Sequence, residues 1–81
     1  MDLSEKAKSF KPGLYKHWKG GMYRALFVAN DSEDLEKEFV VYESLEKRAM
    51  RIRPLEMFLE EIERDGYKGP RFVLVKEDKL I

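Results

Sequence analysis

From residue 12 to residue 76 the chain is a succession of short strand-like runs, and no two are joined by a stretch long enough for a helical crossover. Parallel strands need a crossover of about a dozen residues or more, whereas antiparallel neighbours need only a turn. The sequence is therefore confined to antiparallel β architecture. Residues 14–19 read as a first strand, and Gly20-Gly21 as the turn after it, because glycine reaches positive φ at little cost. Residues 22–29 form the next strand. Under strict alternation its faces are Met22, Arg24, Leu26, Val28 and Tyr23, Ala25, Phe27, Ala29. Both are mostly apolar, which predicts a strand covered on both sides. Residues 30–37 are polar and acidic, a solvated loop. Residues 38–43 centre on Phe39-Val40-Val41-Tyr42. Residues 49–53 alternate cleanly, Met50 and Ile52 on one face and Arg51 and Arg53 on the other.

Pro54 changes the period. Leu55, Phe58, Leu59 and Ile62 sit at i, i+3, i+4 and i+7, one face of a helix, with proline suited to its first turn and Asp65-Gly66 to its end. Gly69-Pro70 marks another turn, and residues 71–76 the last strand. The expectation is a mainly β fold: a small antiparallel SH3-like barrel of about five strands, closing its edges on itself, with one short helix before the last strand. The likeness to SH3-type and Tudor-type barrels is one of element order alone. The barrel occupies residues 12–76 as a single domain. Residues 1–11 are a lead-in, where Ser4 would cap a short helix bearing Leu3, Ala7 and Phe10, and residues 77–81 are a tail.

A chain of 81 residues without cysteine has a thin core and no disulfides to support it. The missing thiols also exclude thiolate zinc sites, iron–sulfur clusters and cysteine nucleophiles. No apolar run reaches the roughly 20 residues of a membrane helix, and the polar, lysine-bearing start is no secretory signal. A cytoplasmic protein with no membrane association is expected. Gln and Thr are absent and Asn30 is the sole asparagine, beside many Lys, Glu and Arg, a bias expected of a thermophile. Sixteen basic and sixteen acidic residues cancel, which argues against bulk-charge binding of nucleic acid. The charge is segregated, however. Residues 26–47 carry seven acids against Lys37 and Lys47, while Arg48, Arg51 and Arg53 follow with no acid among them.

The segments Pro12-Gly13-x-Tyr15-Lys16-His17-Trp18-Lys19-Gly20, Tyr23, Val40-Val41-Tyr42 and Arg53-Pro54-Leu55-x-Met57-Phe58 together form a pattern. It resembles that of a small bacterial domain of unknown function, number 1653, over residues 12–75. The family more often shows Tyr where Trp18 stands, and a tryptophan where Met50-Arg51-Ile52 precedes Arg53. The resemblance implies a shared fold and a shared suspect surface, and no reaction.

Six residues are candidates for ligand contact: His17, Lys19, Tyr23, Tyr42, Arg51 and Arg53. His17 is the sole histidine, and no spacing supplies the carboxylate that would orient it as a general base. Its plain role is a backbone-bonded strand residue. Tyrosines and Trp18 can stack on ligands, or simply fill the core of a small barrel. In a regular strand Trp18 and Lys19 cannot share a face. Arg51 and Arg53 suit phosphate or carboxylate through their planar forks, or else pair with Glu38 or Glu43 across the sheet. Gly20-Gly21 lacks the context of a phosphate loop, and the acids lack any metal-ligand spacing. No catalytic residue, metal or cofactor is expected. The expected function is a non-catalytic binding module for a protein or peptide. The alternatives are RNA binding and a structural homo-oligomer, with an enzyme last, and the chain is expected as monomer or homodimer.

Overall fold

Strand-period runs separated by turns pair with their chain neighbours, and the computed structural model, which describes residues 3–78, shows that outcome. The strands β1 (Gly13–His17), β2 (Met22–Asn30), β3 (Glu38–Ser44) and β4 (Ala49–Pro54) form a meander. β7 (Phe72–Glu77) returns to pair with β1, so the antiparallel sheet has the order β4-β3-β2-β1-β7. Helix α1 (Glu5–Lys8) precedes the sheet and α2 (Leu55–Phe58) follows β4. Between α2 and β7, the strands β5 (Glu61–Arg64) and β6 (Tyr67–Pro70) form a separate hairpin. The tail expected over residues 77–81 lies outside the described residues from 79 onward; Glu77 ends β7, and Asp78 pairs with Arg24 at 2.7 Å.

The mainly β class holds, but the barrel does not close. β4 and β7 are the two edges of an open sheet and do not pair. The inner face is covered instead by α1 and α2, which contribute Ala7, Leu55 and Phe58 to the core. The helix expected to run through Ile62 also stops after one turn. Leu55 and Phe58 are buried as its period requires, but Leu59 is its C-cap and is 43% exposed. Ile62 is buried from β5 instead. Asp65-Gly66, with φ of 49° and 82°, is the two-residue turn of the β5–β6 hairpin rather than a helix end. Both residues at positive φ is what the right-handed twist of paired strands demands. Gly69 and Pro70 lie within β6 and are not a turn.

One irregularity reassigns side chains. The β2–β3 register shifts between Ala25 and Phe27, where Leu26 is an extra residue. Without it, Ala25 and Val28 would point to opposite faces; the bulge lets both face inward, opposite Tyr42 and Val40. Phe27 and Ala29 are thereby turned outward, correcting the strict alternation read from the sequence. The expectation that β2 is covered on both sides also fails within one chain, since Phe27 is 54% exposed.

The core is an aromatic cluster on the inner face. Phe58 stacks on Phe72 with ring centroids 4.1 Å apart, and Tyr15 and Tyr42 meet Phe58 edge-on. Ala25 and Val40 are completely buried beneath them. At the lead-in, Ser4 Oγ accepts the Ala7 N–H, and Ala7 is buried against the core. No helix among the described residues is long and apolar enough to cross a membrane.

Candidate functional site

β1 ends at His17, two residues earlier than the sequence suggests, and that early stop builds the site. The His17 N–H donates to the Gly21 carbonyl, and the Gly20 N–H donates to the His17 carbonyl, each at 2.8 Å. Gly20 sits at φ 109°, a value that favours glycine. Trp18 and Lys19 therefore belong to the turn. Freed from strand alternation, the Lys19 ammonium lies 5.3 Å from the Trp18 ring centroid, correcting the expectation that the two could not share a face. Trp18 also stacks on Tyr67 of the hairpin, with ring centroids 5.6 Å apart.

His17 is the last inward-facing residue of β1, opposite Phe72 in register, and the two rings meet edge-on at 4.9 Å. The Lys19 backbone N–H donates to His17 Nδ1 at 3.2 Å. A neutral imidazole held in this way carries its proton on Nε2. Partial burial, then the positive charges of Arg53, Arg71 and Lys19, hold the imidazole below its ordinary 6.5. Below pH 6.5 the unfolded chain therefore binds a proton at His17 more readily than the folded chain does. Stability is expected to fall as pH drops from 6.5 through the lowered folded value, and to be unaffected by this group above that range. Urea midpoints measured between pH 7.5 and pH 5 check this. The fall in midpoint should be smaller in His17→Gln; an identical pH profile would refute the assignment.

Tyr23, Tyr42 and Arg53 complete the cluster. Tyr23 contacts His17, Tyr42 and Phe72 edge-on, with centroids 5.5 to 6.1 Å apart. Tyr42 is buried, and its hydroxyl accepts from Arg53 Nε at 3.3 Å. The Arg53 guanidinium lies 5.4 Å from the Phe72 ring centroid. Arg51 lies opposite Tyr42 in register, on the same face, but it is exposed and no side-chain hydrogen bond or ion pair among the described residues joins it to the cluster. Five of the six candidates thus converge, and Arg51 stands at the margin.

Pairing of the arginines with Glu38 or Glu43 does not occur. Glu43 is opposite Met50 on the other face, and Glu38 accepts from the Ser4 N–H and hydroxyl at 2.7 and 2.6 Å. Among the described residues the ion pairs are Lys8–Glu5, Arg24–Asp78 and Arg71–Glu60. The half-buried Arg53 therefore meets a phenol hydroxyl and a ring face, and no carboxylate among the described residues. Sequence reasoning missed Arg71. This residue is 8% exposed; its Nη2 donates to Glu60 at 2.7 Å and its buried Nε has no partner. An arginine directly after Pro70, beside the apolar run 72–75, was the available signal.

The patch thus offers donors and ring edges: the Arg53 guanidinium, the Lys19 ammonium and His17 Nε2–H around Tyr23 and Phe72. That chemistry suits an anion. No group of three or more acidic or histidine side chains among the described residues could hold a metal. Two clefts lie elsewhere. One of about 820 Å³ runs between α1, the start of β3 and α2, and one of about 440 Å³ lies beside Phe10 and Tyr15. The larger is lined by charges of both signs, Lys6 and Lys37 among Glu5, Glu36 and Glu56, and selects no ligand chemistry. The open patch, where unpaired donors converge, is the better candidate.

Fold and patch together define a small antiparallel β protein whose covered face ends in a cationic, aromatic surface. The sequence profile of a protein family of unknown function, DUF1653, matches residues 13–74, and the chain belongs to that family. It is similar to a crystal structure of a DUF1653 protein from Bordetella bronchiseptica, at 33% identity and a TM-score of 0.78, over 93% of this chain and 99% of that one. No curated protein matches the chain.

Proposed function

We propose that this chain is a non-catalytic binding module that holds an acidic segment of a partner protein against His17, Lys19, Tyr23 and Arg53, with the buried Tyr42 steadying Arg53 from beneath. The observation that carries the reading is Arg53, half-buried among rings without a carboxylate. A carboxylate from outside would supply the charge-assisted, bidentate partner that the fold withholds. The neutral His17 would donate a further hydrogen bond through Nε2. Zero net charge favours a peptide over a polynucleotide, whose capture rests on neutralising many phosphates. The non-catalytic part of the reading is supported by the same geometry. His17 Nδ1 is taken by a backbone N–H, so no acid orients the ring as a general base.

Titration calorimetry with Glu-rich and Asp-rich peptides, beside single-stranded RNA, tests this. Arg53→Ala is expected to weaken peptide binding about 10- to 100-fold, the worth of a hydrogen bond to a charged group. Arg51→Ala should cost less than about 3-fold, as for an exposed pair. Equal affinity of Arg53→Ala and the wild-type chain would remove the proposed anchor. RNA binding with a steep salt dependence, and no peptide binding, would replace the peptide reading with the nucleic-acid one.

A further inference from the structure

The cations of the patch outnumber the carboxylates set against them. Arg53 and His17 share one floor, the buried Phe72 ring, at 5.4 and 4.9 Å from its centroid. Arg53 gives its Nε to the Tyr42 hydroxyl, which leaves its two Nη groups to a ligand. Lys19 stands over Trp18 in the turn whose backbone N–H holds His17 Nδ1. Arg71 lies behind them, directly before Phe72, and its carbonyl accepts the Trp18 N–H at 3.0 Å. Its side chain is nine-tenths buried, with an Nε that has no partner among the described residues. A charge buried in this way is screened by salt much less than an exposed one.

The charges that act on His17 are those of Arg53, Arg71 and Lys19, all positive. Of the three, Arg71 alone has a carboxylate among the described residues, that of Glu60. Three cations against one carboxylate leave an excess of about +2 around an imidazole that is itself neutral. One carboxylate from outside answers half of it. A phosphodiester also carries one charge, so a nucleic-acid backbone matches the patch no better. A phosphomonoester carries about −1.5 to −2 at pH 7 and presents three acceptor oxygens. Resting on the acidic-segment reading above, we propose that the group anchoring that segment is a phosphorylated side chain, whose oxygens accept from Arg53 Nη, Lys19 Nζ and His17 Nε2. The planar fork of Arg53 suits two of those oxygens at once.

Titration calorimetry at about 0.15 M salt tests this with a short glutamate-rich peptide bearing serine, glutamate or phosphoserine at its centre. Inorganic phosphate and phenyl phosphate serve as unattached probes. The phosphoserine form is expected to bind at least about 10-fold tighter than the glutamate form, the gain of one further charge-assisted hydrogen bond. Lys19→Ala, at an exposed position, should keep the thermal melt and weaken the phosphopeptide about 2- to 5-fold, as for an exposed pair. Arg53→Ala should bring the phosphoserine and glutamate forms within about 3-fold of each other, since the bidentate donor is gone. A smaller preference in the wild-type chain, with both forms weakened by Arg53→Ala, overturns the phosphoryl group and leaves the acidic-segment reading standing. Binding of phenyl phosphate or inorganic phosphate without binding of any peptide overturns both and assigns the patch to a small phosphate compound. No binding of any probe overturns both as well. A phosphopeptide preference that survives both substitutions places the phosphoryl group elsewhere and overturns the proposal.

Discussion

Replacing Phe58 by alanine is expected to cost about 3–5 kcal/mol, the range for emptying a buried aromatic site. Phe58 is 1% exposed and is the hub of the core. Its ring stacks on Phe72 at 4.1 Å with 5° between planes, and Phe10, Tyr15 and Tyr42 surround it at 5.1 to 5.7 Å. No single neighbour can collapse into the space, because these rings come from the lead-in and three different strands. A chain of this size has about 4–12 kcal/mol of total stability, so the substitution removes a large share of it. Urea denaturation checks the figure. Leu59→Ala, one residue on but 43% exposed, should cost less than about 1 kcal/mol. If the two variants lose similar amounts, Phe58 is not the centre of the core.

Gly13→Ala is expected to be nearly as damaging for a different reason, about 1–3 kcal/mol from overpacking. A Cβ at position 13 would overlap the Lys76 carbonyl oxygen and lie 2.9 Å from the Glu77 Cα. These are backbone atoms of the paired edge strand and cannot swing aside. β7 would have to retreat, stretching the 2.9 Å bond from the Asp78 N–H to the Pro12 carbonyl and disturbing the Arg24–Asp78 pair. Hydrogen exchange localises the damage. Amides of β7 should exchange at least about tenfold faster, while those of β3 change only with global stability. Unchanged protection in β7 would show that the strand accommodates the methyl group.

The Pro12-Gly13 step illustrates how much of the fold was legible. A first strand read from residue 14 comes within one residue of the start of β1 at Gly13, but nothing in the sequence showed that another strand's backbone would lie against the glycine. The first four strands were readable because alternating side chains and turn residues act within a few positions of each other. The segment after Pro54 was misread because Leu55, Phe58, Leu59 and Ile62 fit a helical period by coincidence beyond its first turn. The Asp65-Gly66 pair was the stronger local signal, since a turn with two positive φ values suits a hairpin. Face assignment along β2 failed for a similar reason. A bulge is a property of two paired strands, and Leu26 carries no mark of it alone.

The candidate site divides in the same way. His17, Lys19, Tyr23, Tyr42 and Arg53 could be named from residue type and motif, as could the family they share. Their convergence depends on β7 pairing with β1, which brings Phe72 beneath His17 and Arg71 beside it. It depends also on the register of β4, which sets Arg53 away from Glu38 and Glu43. The sequence by itself determined an antiparallel β protein without thiol chemistry, its first four strands and its suspect residues, because composition, alternation and turn preference are local. Only the tertiary structure decided that the sheet stays open, that Arg53 meets no carboxylate among the described residues and that an apolar face is left bare. Those outcomes depend on long-range pairing and on a bulge, and neither is encoded within any one strand.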